Sequence, residues 1–106
     1  MADDRLDALR AMVAKFPDDP RPRFFLGHEL VKAGAFAEAA EQYRGYLSRE
    51  RGDVGAAWRE LGRCLERTGE PLQAAEAYRE GMASARANGH SGLASEIEML
   101  LDELTR

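Results

Sequence analysis

A chain of 106 residues has room for one domain, whose folding buries roughly two-thirds of the surface that the unfolded chain exposes. Hydrophobic residues make up 44% of the sequence and charged residues 32%, a balance too apolar for a disordered chain. The net charge of −4 argues against a general nucleic-acid-binding protein, which usually carries a basic surplus, although a local basic patch is still compatible with it.

Proline and glycine divide the chain into six helical stretches, and no segment alternates apolar and polar residues as a strand would. The predicted helices cover about residues 4–16, 21–33, 36–49, 54–68, 71–87 and 93–104. We expect Gly34 and Gly69 to close the second and fourth helices, and Asp53 to cap the start of the fourth. Short loops between helices of this length predict antiparallel hairpins in an all-α fold.

The chain contains an internal repeat with a period of 35 residues. Residues 23–48 and 58–83 are identical at nine of 26 positions, far more than chance would give. The pairs are Leu26/Leu61, Gly27/Gly62, Leu30/Leu65, Gly34/Gly69, Ala39/Ala74, Ala40/Ala75, Glu41/Glu76, Tyr43/Tyr78 and Arg44/Arg79. A fixed period of this length is typical of helical repeat proteins.

The repeat resembles the tetratricopeptide repeat, whose pattern is W-x2-L-G-x2-Y, then A-x3-F, then P, over about 34 residues. The matching residues are Trp58, Leu61, Gly62, Ala74 and Tyr78 in the second unit and Leu26, Gly27, Ala39 and Tyr43 in the first. Arg23 replaces the tryptophan of the first unit, Leu30 and Leu65 replace the tyrosine, and neither unit has the closing proline. The resemblance implies a short right-handed solenoid of stacked helical hairpins.

In these terms residues 1–106 form a single domain. It divides into an N-terminal half-repeat (1–19), two repeats (20–53 and 54–90) and a C-terminal capping helix (91–106). Glycine within a helix costs about 1 kcal/mol relative to alanine, so Gly27 and Gly62 predict close contact between helices. We expect the small Ala39 and Ala74 opposite them.

The resemblance also implies that the first helices of the repeats line a concave groove that binds an extended peptide or a partner helix. Carried over by position, the groove residues are Arg21, Phe24, Phe25, His28, Val31, Lys32, Ala56, Arg59, Glu60, Arg63, Glu66 and Arg67. Adjacent residues on a helix diverge by about 100°, so the two phenylalanines cannot both be fully buried, and we expect one to pack under the first helix while the other faces the groove.

Three arginines of the second repeat, Arg59, Arg63 and Arg67, are spaced by four residues and form an arginine stripe on one helix face. The planar guanidinium suits carboxylates, so the arginine stripe favours an acidic or amphipathic partner segment, or a free C-terminus. The alternative is a solvated surface in which the arginines pair with Glu60 and Glu66 at helical spacing.

Motifs for catalysis are missing from the sequence. His28-Glu29 begins like the zinc-binding helix H-E-x-x-H, but Lys32 stands where the second ligand is required. We therefore expect no enzyme, no cofactor and no metal. Cys64, the only cysteine, excludes an internal disulfide and is expected to be a small buried core residue of a cytoplasmic protein.

The expected partner is another protein, with no nucleic acid and no membrane involved. No asparagine lies on either groove helix, which argues against the carboxylate clamp of the family's chaperone-binding members. The alternative function is homodimerisation, because short repeat stacks leave incompletely covered end faces.

Overall fold

The computed structural model describes the backbone of residues 2–106 and the side chains of residues 4–106. Six helices follow one another, and the described chain contains no strand: α1 (Ala2–Lys15), α2 (Arg21–Lys32), α3 (Phe36–Arg49), α4 (Gly55–Arg67), α5 (Pro71–Ala87) and α6 (Ser91–Leu104). The all-α prediction is confirmed, and the helix ends lie within about two residues of the predicted ones.

Glycines end three of the helices. Gly34, Gly69 and Gly89 follow α2, α4 and α5 with φ angles of 79°, 78° and 75°, a conformation that glycine adopts without a Cβ penalty. The prediction for Asp53 is wrong, because no side chain caps α4 and the Asp53 carboxylate instead lies 2.6 Å from Nε2 of His90. That contact joins the α3–α4 loop to the α5–α6 loop.

Each helix packs against the next one in the chain, and α6 also contacts α4. Successive helices form antiparallel hairpins because each connection is only a few residues long. The helices α2 and α4 are the first helices of the two repeats, and the repeat pattern predicts that they line the groove; α6 adjoins α4 beside that surface.

Two buried tyrosines explain the glycines inside α2 and α4. The ring of Tyr43 lies under Gly27, where a Cβ atom would stand 2.9 Å from Cζ of the tyrosine. Tyr78 lies in the same way under Gly62, and both tyrosines are 0% exposed. Glycine is therefore needed at these positions because an aromatic ring fills the space of a side chain.

The last helix, α6, packs against α5 and α4. Ile97 is 0% exposed, and its Cδ1 atom would lie 3.1 Å from a Cβ atom placed at Gly81 of α5. Trp58 lies partly buried on the other side of Gly81, whose missing side chain lets α4, α5 and α6 approach one another. This packing positions the N-terminal half of α6 beside the arginine stripe.

Candidate partner-binding groove

The outer face of α2 presents Arg21, Phe25, His28 and Lys32, which are all exposed and spaced so that they share one side of the helix. Arg21 forms an ion pair of 2.8 Å with Asp19. The side chain of Phe25 is 59% exposed, which is unusual for a phenylalanine in a folded domain. This face therefore combines an accessible phenyl ring with scattered charge.

Phe24 points away from that face and is half-buried. Its ring packs edge-on against Tyr43, with 5.9 Å between centroids, and lies tilted by 53° against Tyr46, with 5.1 Å between centroids. Of the two adjacent phenylalanines, Phe25 is thus the one accessible to a partner, whereas Phe24 connects α2 to α3 in the interior.

Two members of the arginine stripe are neutralised within the molecule. Arg59 lies 2.9 Å from Glu60 and 2.9 Å from Glu96, and Arg63 lies 3.4 Å and 3.1 Å from the same two carboxylates. Two guanidinium groups and two carboxylates thus form one network between α4 and α6. The network gives the groove polar side chains that can form hydrogen bonds, but it adds little net charge.

Arg67, the third member of the stripe, has no carboxylate of a described side chain within 4.0 Å. Its guanidinium instead lies over the ring of Phe36, with Cζ 4.3 Å from the ring centroid. Such a cation–π contact orients the group without cancelling its charge. Arg67 therefore remains available to a carboxylate of a partner.

A cavity of about 270 Å³, which we call the α2–α4 pocket, opens beside Arg67. Its lining residues are Val31, Phe36, Glu60, Arg63, Cys64, Glu66 and Arg67. Val31, Phe36 and Cys64 give it apolar walls, and the charged side chains surround them. The size suits one side chain, since ligand-sized sites start at roughly 300 Å³.

Cys64 is buried, as expected from the sequence, and is 1% exposed. Burial raises the pKa of its thiol to about 11, and the negative charge of Glu60 contributes to the increase. A thiol with this pKa is protonated at neutral pH and is a weak nucleophile. Cys64 therefore contributes to the pocket wall as a small apolar side chain.

Sequence patterns did not reveal two residues of this site. Glu96 lies 33 and 37 positions from the arginines it pairs with, and only the packing of α6 on α4 brings them together. Phe36 opens α3, and its contact with Arg67 follows from the way α3 lies against the end of α4. The only sequence feature that pointed to Phe36 was its place as an aromatic residue at the first position of a helix.

Two further features were looked for in the described part of the chain and not found. No helix within residues 2–106 is both long and apolar enough to cross a membrane. No group of three or more His, Cys, Asp or Glu side chains among residues 4–106 is arranged to hold a metal ion.

Comparison with known proteins agrees with the family resemblance of the repeat pattern. A family profile described as tetratricopeptide repeat matches residues 1–85. A TPR repeat-containing protein of Pseudomonas aeruginosa is 29% identical over 101 residues, which are 95% of this chain and 95% of that protein. A solution structure of a Bordetella parapertussis protein superposes with a TM-score of 0.78 at 29% identity, covering 95% of this chain and 87% of the other. On the extent of the family match, this chain belongs to the tetratricopeptide repeat family.

Proposed function

We propose that this protein binds a segment of another protein in the groove formed by α2, α4 and α6, and that it catalyses no reaction. Tetratricopeptide repeats in general mediate contacts between proteins and are not catalytic. We further propose that it acts in the cytoplasm, because a single buried thiol suits a reducing compartment.

One observation supports the character of the partner segment. Arg67 is a stripe arginine without a carboxylate partner among the described side chains, and it stands at the edge of an apolar pocket. A segment with an acidic residue next to a large apolar one would satisfy both features at once. Charge-assisted hydrogen bonds to the planar guanidinium would fix its register, and burial of the apolar side chain would add affinity.

The experiment is an affinity capture from lysate of the source cells with the wild type and the variant Arg67→Glu. Arg86→Glu is the matched control, since Arg86 is an exposed arginine at the end of α5, away from the groove. We expect a captured protein that is lost with Arg67→Glu and kept with Arg86→Glu, while circular dichroism shows that both variants are folded. Identical captured sets for all three proteins would contradict binding in the groove.

Self-association is a second candidate function, and exposed apolar side chains at the N-terminal end of the stack favour it. Met12 and Phe16, on and just after α1, are 46% and 47% exposed. Sedimentation equilibrium of the wild type and the double variant Met12→Ser/Phe16→Ser would test this function. A concentration-dependent dimer that the double variant loses would support it, and a monomer at every concentration would exclude it.

A further inference from the structure

A second cavity lies on the side of α4 that faces away from the arginine Arg67. Six residues line this cavity of about 380 Å³, which we call the Trp58 pocket: Arg44, Leu47, Ser48, Arg51, Trp58 and Leu61. None of them lines the α2–α4 pocket. Trp58 and Arg67 are nine positions apart on α4, which is two and a half helical turns, so they point to opposite sides of the helix. The two pockets therefore belong to different surfaces of the protein.

The Trp58 pocket combines an apolar lining with two accessible positive charges. Two leucines and the half-buried Trp58 supply the apolar part. Arg44 and Arg51 are exposed, and neither forms an ion pair with a described side chain. Arg44 donates a hydrogen bond of 2.7 Å to the neutral amide of Gln73, which leaves its charge in place. Both guanidinium groups are therefore available to carboxylates of a partner.

Carboxylates of the described residues do not line the Trp58 pocket. Glu50 and Glu80 line a neighbouring cavity but not this one. The α2–α4 pocket differs in this respect, because Glu60 and Glu66 are part of its lining. The Trp58 pocket thus has a net positive charge, and it favours an occupant in which an apolar side chain stands between carboxylates.

The outer side of α6 has the complementary chemistry. Met99 is 63% exposed and lies about 200° around the helix from Ile97, which packs against α5. Glu98 precedes it, and Asp102 and Glu103 lie beside it one turn later, all three exposed. None of these carboxylates forms an ion pair with a described side chain. We call the four exposed residues Glu98, Met99, Asp102 and Glu103 the acidic ridge.

We propose that the acidic ridge of one molecule binds in the Trp58 pocket of a second molecule. Met99 enters the pocket and contacts the ring of Trp58, since thioethers and aromatic rings attract each other. The carboxylates beside Met99 form charge-assisted hydrogen bonds with Arg44 and Arg51. Pocket and ridge are different surfaces, so the contact is made twice in a closed dimer or repeats along a chain of molecules.

This inference rests on the second candidate function, self-association, and is independent of peptide binding in the groove. It assigns the contact to surfaces other than the exposed apolar side chains at the N-terminal end of the stack. The variant Met12→Ser/Phe16→Ser should therefore associate as the wild type does.

The test is charge reversal followed by mixing. The pocket variant is Arg44→Glu/Arg51→Glu, and the ridge variant is Asp102→Arg/Glu103→Arg. Arg86→Glu is the control, since Arg86 is exposed and lines neither of the two pockets. Sedimentation velocity over a range of concentrations measures association, and circular dichroism checks that each protein is folded. Tryptophan fluorescence is recorded on the same samples.

We expect the wild type to associate as its concentration rises. Trp58 is the only tryptophan of the chain, so its emission should shift to shorter wavelength as the pocket is filled. Each charge-reversed variant should associate at least about ten-fold more weakly, because its pocket and ridge have charges of the same sign. An equimolar mixture of the two variants should recover association, because each pocket then meets a ridge of opposite charge. The control should behave as the wild type does.

Four outcomes would overturn the inference. A wild type that stays monomeric at every concentration would exclude a second copy as the occupant, and self-association with it, in favour of an acidic segment of another protein. Association that both charge-reversed variants keep would overturn only the assigned contact, and its loss in Met12→Ser/Phe16→Ser would move that contact to the N-terminal end. Variants that stay apart on mixing would show that complementary charge is not the cause. Association without a change in Trp58 emission would exclude the pocket.

Discussion

The hydroxyl groups of Tyr43 and Tyr78 should contribute differently to stability although the two rings occupy equivalent places. Tyr78→Phe removes a hydrogen bond to a carboxylate, so we expect the free energy of unfolding to fall by about 1–2 kcal/mol. Tyr43→Phe removes an unpaired buried hydroxyl and should leave that free energy unchanged or raise it. Urea denaturation of the two variants measures the difference, and equal losses of stability would contradict the assigned hydrogen bonding.

Cys64 should react slowly with alkylating agents in the folded protein. Its pKa of about 11 lies above the ordinary value of 9.0. Below pH 11 the thiolate is therefore the minor form, and the thiolate fraction rises about ten-fold for each pH unit. At pH 8 this alone slows alkylation by about two orders of magnitude, and burial slows it further. Mass spectrometry after iodoacetamide treatment, with and without urea, measures the ratio. Equal rates in both conditions would show that the thiol is accessible.

Packing between the two helices of a hairpin depends on the glycine of the first helix. A Cβ atom at Gly62 would stand less than 3 Å from three atoms of the fully buried Tyr78 ring, whereas at Gly27 only one ring atom of Tyr43 is that close. We expect Gly62→Ala to lower the free energy of unfolding by about 1–3 kcal/mol and Gly27→Ala to lower it less.

A third glycine provides the control for this comparison. Gly92 lies in the first turn of α6, and no neighbouring atom lies within 4 Å of the position that an alanine methyl group would take. Gly92→Ala therefore gains helix propensity without a clash. Thermal or urea denaturation of the three variants should rank Gly92→Ala above the wild type and Gly62→Ala lowest. A Gly62→Ala variant as stable as Gly92→Ala would mean that Tyr78 moves aside at no cost.

The helices were predictable from the sequence because their signals are local, whereas the charge pattern of the groove was not. Helical spacing pointed to Glu60 and Glu66 as partners of the arginine stripe. Glu60 does pair with Arg59 and Arg63, but Glu66 accepts a hydrogen bond from Tyr78. The second carboxylate of the network comes from α6, whose rotation about its own axis is decided by the packing of its apolar side. No local pattern determines that angle.

The stack as a whole should be uneven in local stability, because its helices contact mainly their neighbours in the chain. In α1 only Leu6 is buried among the described side chains, whereas α4 and α5 each bury six residues. Ion pairs from Arg5 to Glu29 and from Arg10 to Glu38 hold α1 to the stack. The arginine side chains are 75% and 41% exposed, and ion pairs that are accessible to solvent contribute only about 0–1 kcal/mol each.

Hydrogen–deuterium exchange followed by mass spectrometry should reveal this order. We expect the amides of α1 to exchange first and those of α4 and α5 last, since opening α1 exposes the least apolar surface. Leu6→Ala should speed exchange in α1 with little effect on α5, whereas Ile97→Ala should speed exchange in α6 and in the part of α5 that it covers. Exchange of all six helices at one common rate would instead mean that the stack opens only as a unit. In that case a partner bound in the groove would stabilise α1 as strongly as the helices it touches.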